Sequence, residues 1–87
     1  MPTVKENEQK MYDIAAKLTD ILEPGTKIKS KQFIETDFIS GVYYDKWKVK
    51  YNKSVKKRIN KIIDFARAEH IKLIIEDPFI VVICIKM

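Results

Sequence analysis

The chain has 87 residues, 17 of them lysine or arginine against 12 aspartates and glutamates, and 46% of its residues are hydrophobic. A single domain, 1–87, fits this length, because two independent hydrophobic cores would need a longer chain. The hydrophobic fraction is too high for a disordered chain.

Membrane attachment and secretion are not expected. No apolar run reaches the roughly 18 residues that a membrane-spanning helix needs, and the polar segment 3–10 is not typical of a signal peptide. Cys84 is the only cysteine, which excludes an internal disulfide. These features together predict a cytoplasmic protein without a membrane partner.

The N-terminal segment predicts a helix over Val4–Glu23. Thr3 and Glu6 have the spacing of a capping box, in which each side chain bonds to the other residue's backbone N–H. Apolar residues at helical spacing would form its buried face: Met11, Ile14, Ala15, Leu18, Ile21 and Leu22. Pro24-Gly25 ends the helix. Because the helix is net acidic, we expect it to be scaffold and not to approach phosphates.

The next segment predicts a short extended piece around Ile28 and then a second helix, Ser30–Ile39. Ser30 is a residue type that caps helices. The expected core positions of this helix are its large apolar residues, Phe33, Ile34, Phe38 and Ile39. Ser40-Gly41 forms the next break in the chain.

Val42–Lys53 fits two patterns. Residues 46–51 alternate strictly between lysines and larger apolar or aromatic residues, which predicts a strand with Trp47, Val49 and Tyr51 on one side. The aromatic residues also recur at helical spacing, but the β-branched and aromatic composition favours the strand. Rings interleaved with lysines can stack on bases, although we prefer burial of these rings in the small core.

The chain then predicts a basic amphipathic helix that begins at Asn52 or Ser54 and ends near Glu69 or His70. One side is apolar and is formed by Val55, Ile59, Ile62, Ile63 and Ala66. The opposite side is polar or basic and is formed by Lys57, Arg58, Asn60, Lys61 and Arg67. From residue 71 to Lys86, two β-branched runs joined by residues 76–78 predict a C-terminal hairpin.

The second strand of that hairpin is apolar on both sides. One side would carry Phe79, Val81, Ile83 and Ile85, and the other Ile80, Val82 and Cys84. A strand of this kind has to be covered on both sides. We therefore predict a homodimer through the C-terminal strand, with the alternative that Val42–Tyr51 folds back over the second side.

Positive charge is concentrated in residues 46–61. This window holds eight basic residues and no acidic one, so the rest of the chain has 9 basic against 12 acidic residues, a charge of −3. One concentrated basic segment on a mildly acidic body is typical of proteins that bind polyanions. The alternative is a solvated lysine-rich surface without a partner.

The order of helix, short strand, helix, basic segment, basic helix and hairpin resembles the winged-helix variant of the helix-turn-helix superfamily. The resemblance implies a small α+β domain of three helices with a C-terminal β-hairpin, Ile71–Lys86, as its wing. It also implies that the third helix enters the major groove of duplex DNA. The residues expected at the nucleic acid are then Lys53, Ser54, Lys57, Arg58, Asn60 and Lys61, with Lys46, Lys48 and Lys50 for further backbone contacts.

The sequence therefore predicts a non-catalytic protein that binds nucleic acid, with duplex DNA favoured, and that regulates transcription or replication. Catalysis would need a convergent set of nucleophile, base or metal ligands. The sequence offers one histidine, His70, and no glycine-rich phosphate loop, so no cofactor or metal is expected. The alternative is a small protein-binding inhibitor or accessory factor from a phage or mobile element, with the aromatic segment Val42–Tyr51 as its interface.

Overall fold

The computed structural model describes residues 4–87, and this part of the chain contains two α-helices and four strands. In chain order the elements are α1 (Val4–Ile21), β1 (Ile28–Ile39), β2 (Val42–Tyr51), α2 (Ile59–Ala68), β3 (Lys72–Asp77) and β4 (Ile80–Lys86). A 3-10 turn, Lys56–Arg58, immediately precedes α2. Thr3, the expected cap of α1, lies outside the described residues.

The four strands form one antiparallel sheet in the order β1-β2-β4-β3. Both helices pack on the same side of this sheet. α1 lies against the two central strands, β2 and β4, while α2 packs against α1 and the edge strand β3. We call the side covered by the helices the inner side and the opposite side the outer side.

The hydrophobic core lies between the helices and the inner side of the sheet. α1 contributes most of its predicted apolar stripe, namely Met11, Ile14, Ala15, Leu18 and Leu22. The central strands contribute Trp47, Val49 and Tyr51 from β2 and Val81, Ile83 and Ile85 from β4. Because alternate residues of a strand point to opposite sides, this burial leaves the lysines of β2 on the outer side.

The α+β class holds, but the winged-helix arrangement of three helices is wrong. Ser30–Ile39 belongs to strand β1 and pairs with β2 along most of its length. Ser40 and Gly41 have positive φ angles of 51° and 85°, as in the two-residue type I′ turn that joins neighbouring antiparallel strands. Since the β1–β2 hairpin separates α1 from α2, residues 4–87 contain no helix-turn-helix.

The predicted basic helix is shorter than expected, because regular α-helix begins only at Ile59. Its C-terminus has the hydrogen bonds of a Schellman motif. His70 takes a positive φ of 54°, its N–H donates to the Arg67 carbonyl at 3.3 Å, and the Ile71 N–H donates to the Ala66 carbonyl at 3.1 Å. His70 therefore ends the helix, within the range predicted from the sequence.

Only part of the predicted apolar side of this helix faces the core. Val55 and Ile62 are fully buried, whereas Ile59 and Ile63 are 38% and 41% exposed. The difference arises because Val55 lies before the 3-10 turn, so the apolar residues do not follow one continuous helical stripe.

The homodimer was predicted because the second apolar side of the C-terminal strand needed a cover, but a single chain already covers it. β4 is a central strand, and its outer residues Val82 and Cys84 are each 1% exposed within a single chain. In β2, Lys48 lies directly opposite Val82 and Lys46 lies opposite Cys84, so the aliphatic parts of these lysines cover them. Ile74 of β3 flanks Val82 from the other side. The outer side of β4 is therefore covered without a second copy.

Candidate nucleic-acid interface

The structure divides the basic window 46–61 between two places. Lys46 and Lys48 project from the middle of the outer side of the sheet, where β2 lies between β1 and β4. Lys50 lies near the end of β2, and the chain after Tyr51 leaves the sheet and continues into the 3-10 turn and the start of α2. The nine predicted site residues consequently do not share one helix face.

Lys46 and Lys48 are both neutralised by carboxylates on neighbouring strands. Lys46 Nζ lies 3.1 Å from Glu35 Oε1 and 3.4 Å from Asp37 Oδ2. Lys48 Nζ lies 3.0 Å from Glu76 Oε2. The hydrogen bond to Glu35 raises the pKa of Lys46. Burial opposes this with a smaller effect, and the hydrogen bond to Asp37 contributes less again in the raising direction. These two lysines therefore have a structural role and are poorly placed to bind phosphate.

A second group of basic residues lies at one end of the sheet. Hydrogen bonds there join the start of β1, the segment that follows β2 and the β3–β4 turn. The start of β1 meets the end of β2, since the Lys27 N–H donates to Asn52 Oδ1 at 2.6 Å and the Asn52 N–H donates to the Lys27 carbonyl at 3.1 Å. The β3–β4 turn joins them, because the Val55 N–H donates to the Pro78 carbonyl at 2.5 Å.

We call the basic residues of this region the basic end: Lys27, Lys29, Lys50, Lys53, Lys56, Lys57, Arg58 and Lys61. None of them forms an ion pair within residues 4–87, where the ion pairs involve Lys17, Lys46 and Lys48 instead. An unneutralised group of cations on one part of the surface attracts polyanions. The basic end is therefore the candidate interface.

The basic end contains residues that the sequence analysis missed. Lys27 and Lys29 were outside the basic window and join it only through the pairing of Ile28 with Tyr51. That pairing could not be read from the sequence once Ser30–Ile39 was interpreted as a helix. Strand register is the signal that would have identified them.

The remaining predicted residues lie in or next to the basic end. Ser54 is half-buried in the turn before the 3-10 residues, and Asn60 is exposed in the first turn of α2. A shallow cavity of about 210 Å³ is lined by Lys57, Arg58, Ile59, Asn60 and Lys61. Arg58 Nε beside it is buried and donates to no acceptor within residues 4–87. The cavity is thus lined mainly by hydrogen-bond donors with positive charge.

Trp47 and Tyr51, two of the aromatic residues of β2, are not available for a partner. Trp47 and Tyr51 are buried in the core, as the preferred interpretation of the sequence predicts. The Trp47 ring packs against Phe33 at a centroid distance of 4.8 Å. Burial raises the pKa of Tyr51 to about 12, and its hydroxyl donates a long hydrogen bond of 3.5 Å to the Ala15 carbonyl. These rings therefore contribute to stability and neither stack on bases nor form an interface.

Exposed rings occur at both ends of the molecule. Phe79 lies at the β3–β4 turn, next to the basic end, and is 43% exposed. Phe38 and Tyr43 flank the β1–β2 turn, with their ring centroids 4.7 Å apart. Asp37 is the direct neighbour of this second pair, so of these three rings only Phe79 lies beside the basic end.

Within residues 4–87, no three histidine, cysteine or carboxylate side chains come close enough to hold a metal ion. Burial raises the pKa of Cys84, with a smaller opposing effect from Lys46 and Lys72, so its thiol is a poor nucleophile. Neither described helix has the length and apolar character needed to cross a membrane.

No protein family, curated protein or solved structure that was compared matches this chain. The candidate interface is therefore defined by the placement and charge of this chain's own residues.

Proposed function

We propose that this protein binds nucleic acid without catalysing a reaction, and that the basic end holds the phosphates. The observation that supports the proposal is the contrast between two groups of cations. Lys46 and Lys48 are paired with carboxylates on adjacent strands, whereas the basic end has no such partners within residues 4–87. Neutralising phosphates releases condensed counterions, which favours binding at low salt.

The proposal does not include a helix that reads the major groove. α2 lies against α1 and β3 on the inner side of the sheet, and the described residues contain no helix-turn-helix from which it could be presented. Phosphate contacts fix the position of a protein on nucleic acid but carry no sequence information. We therefore expect binding with little sequence preference, and a regulatory role in transcription or replication would need base contacts as well.

The test is to measure the affinity for a labelled duplex and a labelled single strand by fluorescence anisotropy over a range of salt concentrations. About four to six phosphate contacts predict a log–log slope of roughly −4 to −5 for duplex DNA. The double substitution Lys57→Ala/Lys61→Ala removes two exposed cations from the basic end and should reduce this slope by about 1.8. Wild type that binds neither strand form at about 50 mM salt would refute the proposal.

The matched control removes the same charge from another part of the surface. Lys5 and Lys10 are exposed on α1, so Lys5→Ala/Lys10→Ala lowers the net charge equally but leaves the basic end intact. We expect this variant to bind with the wild-type salt slope. Equal weakening by both double substitutions would mean that net charge, and not the basic end, governs binding.

The alternative of a small protein-binding inhibitor has lost its main support. That interpretation depended on the aromatic segment Val42–Tyr51 as an interface, but Trp47 and Tyr51 are buried. Phe38 and Tyr43 remain exposed at the hairpin tip. A protein partner becomes the better hypothesis if wild type fails to bind either strand form.

A further inference from the structure

Phe79 is a large apolar side chain that the fold leaves exposed beside the basic end. It occupies the turn between β3 and β4 and keeps 43% of its surface exposed, while the β4 residues that follow, from Val81 to Ile85, are buried. Exposing an aromatic ring to water gives no stability. Its position beside unneutralised cations suggests a role in binding.

The backbone that carries this ring is fixed by hydrogen bonds on both sides. The Phe79 N–H donates to Asp77 Oδ1 at 2.8 Å, and the Phe79 carbonyl accepts from the Tyr51 N–H at 2.8 Å. The preceding Pro78 carbonyl accepts from the Val55 N–H, and the proline ring itself restricts φ. Because the backbone is already ordered, a ligand that stacks on the ring loses little further conformational entropy.

Cations of the basic end lie immediately around this turn. Lys50 is the direct partner of Ile80, the residue after Phe79, in the β2–β4 pairing. Lys53 and Lys56 lie on either side of Val55 in the chain, and the Val55 N–H donates to the Pro78 carbonyl of the turn. The acidic group of the turn is Asp77, and its carboxylate already accepts the hydrogen bond from Phe79.

We infer that the basic end binds single-stranded nucleic acid, with one unpaired base stacked on the Phe79 ring and the adjacent phosphates on the surrounding lysines. The inference rests on the proposed function and specifies its ligand. A ring among cations is the combination that single-strand-binding proteins use, since every base has a face that can stack. In a duplex the base faces are already covered by neighbouring bases, so this ring adds nothing to duplex binding.

The test compares Phe79→Leu with Phe38→Leu on a labelled single strand and on a duplex of the same sequence. Phe79→Leu keeps an apolar side chain but removes the stacking surface, and it should weaken single-strand binding by about five-fold or more. Duplex binding should change by less than about two-fold. Phe38 is also an exposed ring, at the opposite turn, so Phe38→Leu should bind both strand forms as wild type does.

A second variant reports stacking directly and does not depend on a change in affinity. Trp47 is the only tryptophan and is buried, so its emission should respond little to ligand. Phe79→Trp places an exposed indole at the turn, and its fluorescence should be quenched by a single strand. Phe38→Trp is the matched control and should not be quenched.

The outcomes separate the inference from the proposed function. If Phe79→Leu binds the single strand like wild type and Phe79→Trp is not quenched, the stacking role is refuted. Salt-dependent binding that is lost in Lys57→Ala/Lys61→Ala would still support the basic end in that case. Wild type that binds neither strand form would instead refute the proposed function itself.

Discussion

Ionisation of Tyr51 should make the protein less stable between about pH 10 and about pH 12. Burial holds the tyrosine neutral in the folded state and raises its pKa from 10.0 to about 12, with a smaller opposing effect of a hydrogen bond with Thr19. Below pH 10 the tyrosine is neutral in both states and has no effect on stability. Between the two pKa values only the unfolded state releases the proton, so the free energy of unfolding falls as pH rises.

The size of this effect follows from the pKa shift. Each pH unit between the two pKa values costs about 1.4 kcal/mol, so the rise from 10.0 to about 12 costs on the order of 3 kcal/mol. Tyr51→Phe has no ionisable hydroxyl and should lose this part of the pH dependence. At neutral pH the substitution should cost on the order of 1 kcal/mol, the usual net contribution of a hydrogen bond, because the Tyr51 hydroxyl bonds to the Ala15 carbonyl at a long 3.5 Å and also to Thr19.

The assay is urea denaturation at a series of pH values from 9 to 12, followed by the fluorescence of the buried Trp47. Lysines also titrate in this range, but they are common to wild type and Tyr51→Phe and cancel in the difference. Tyr12→Phe removes an exposed tyrosine instead and should retain the wild-type fall in stability. An equal fall in wild type and Tyr51→Phe would refute the assignment to Tyr51.

Two further predictions concern packing around α2 and β4. Ile62 is 1% exposed and Ile59 is 38% exposed. Ile62→Ala should therefore lower the free energy of unfolding by about 2–5 kcal/mol, whereas Ile59→Ala should lower it by less than about 1 kcal/mol. Equal losses of stability in urea denaturation would contradict this placement. Val82→Lys should destabilise the single chain by on the order of 3 kcal/mol, because it puts a charge on the covered outer side of the sheet. A sedimentation measurement that finds the variant folded and merely dissociated from a dimer would contradict the covered sheet.

Local patterns predicted the elements whose periodicity is regular. The apolar stripe of α1, the alternation of residues 46–51 in β2 and the β-branched runs of β3 and β4 each identified the correct type of element. β1 was missed because its alternation is interrupted. A shift in register between Phe33 and Glu35 places Phe33 and Phe38 on the same side of the sheet, although five residues apart in a regular strand they would point to opposite sides.

The candidate interface was predictable only in part, because it depends on which residues of neighbouring strands lie side by side. The basic window 46–61 includes the 3-10 turn and the start of α2, which form part of the basic end. It did not separate paired from unpaired lysines, because the carboxylates that neutralise Lys46 and Lys48 lie on other strands. Sequence distance gives no information about such pairs, whereas strand register does.

The lysines of this fold include some that pair with carboxylates across the sheet and others, at the basic end, that do not. The paired lysines explain how the apolar central strand β4 is covered within a single chain. Lys46 exposes only 15% of its side chain while its ammonium group lies between Glu35 and Asp37. The aliphatic part of such a side chain can cover Cys84, its partner in register, because only the charged end has to reach water or a carboxylate. The carboxylates then hold the lysine in this position and cancel its charge. The proposed attraction for a polyanion therefore depends on the basic end, where lysines have no carboxylate partners within residues 4–87.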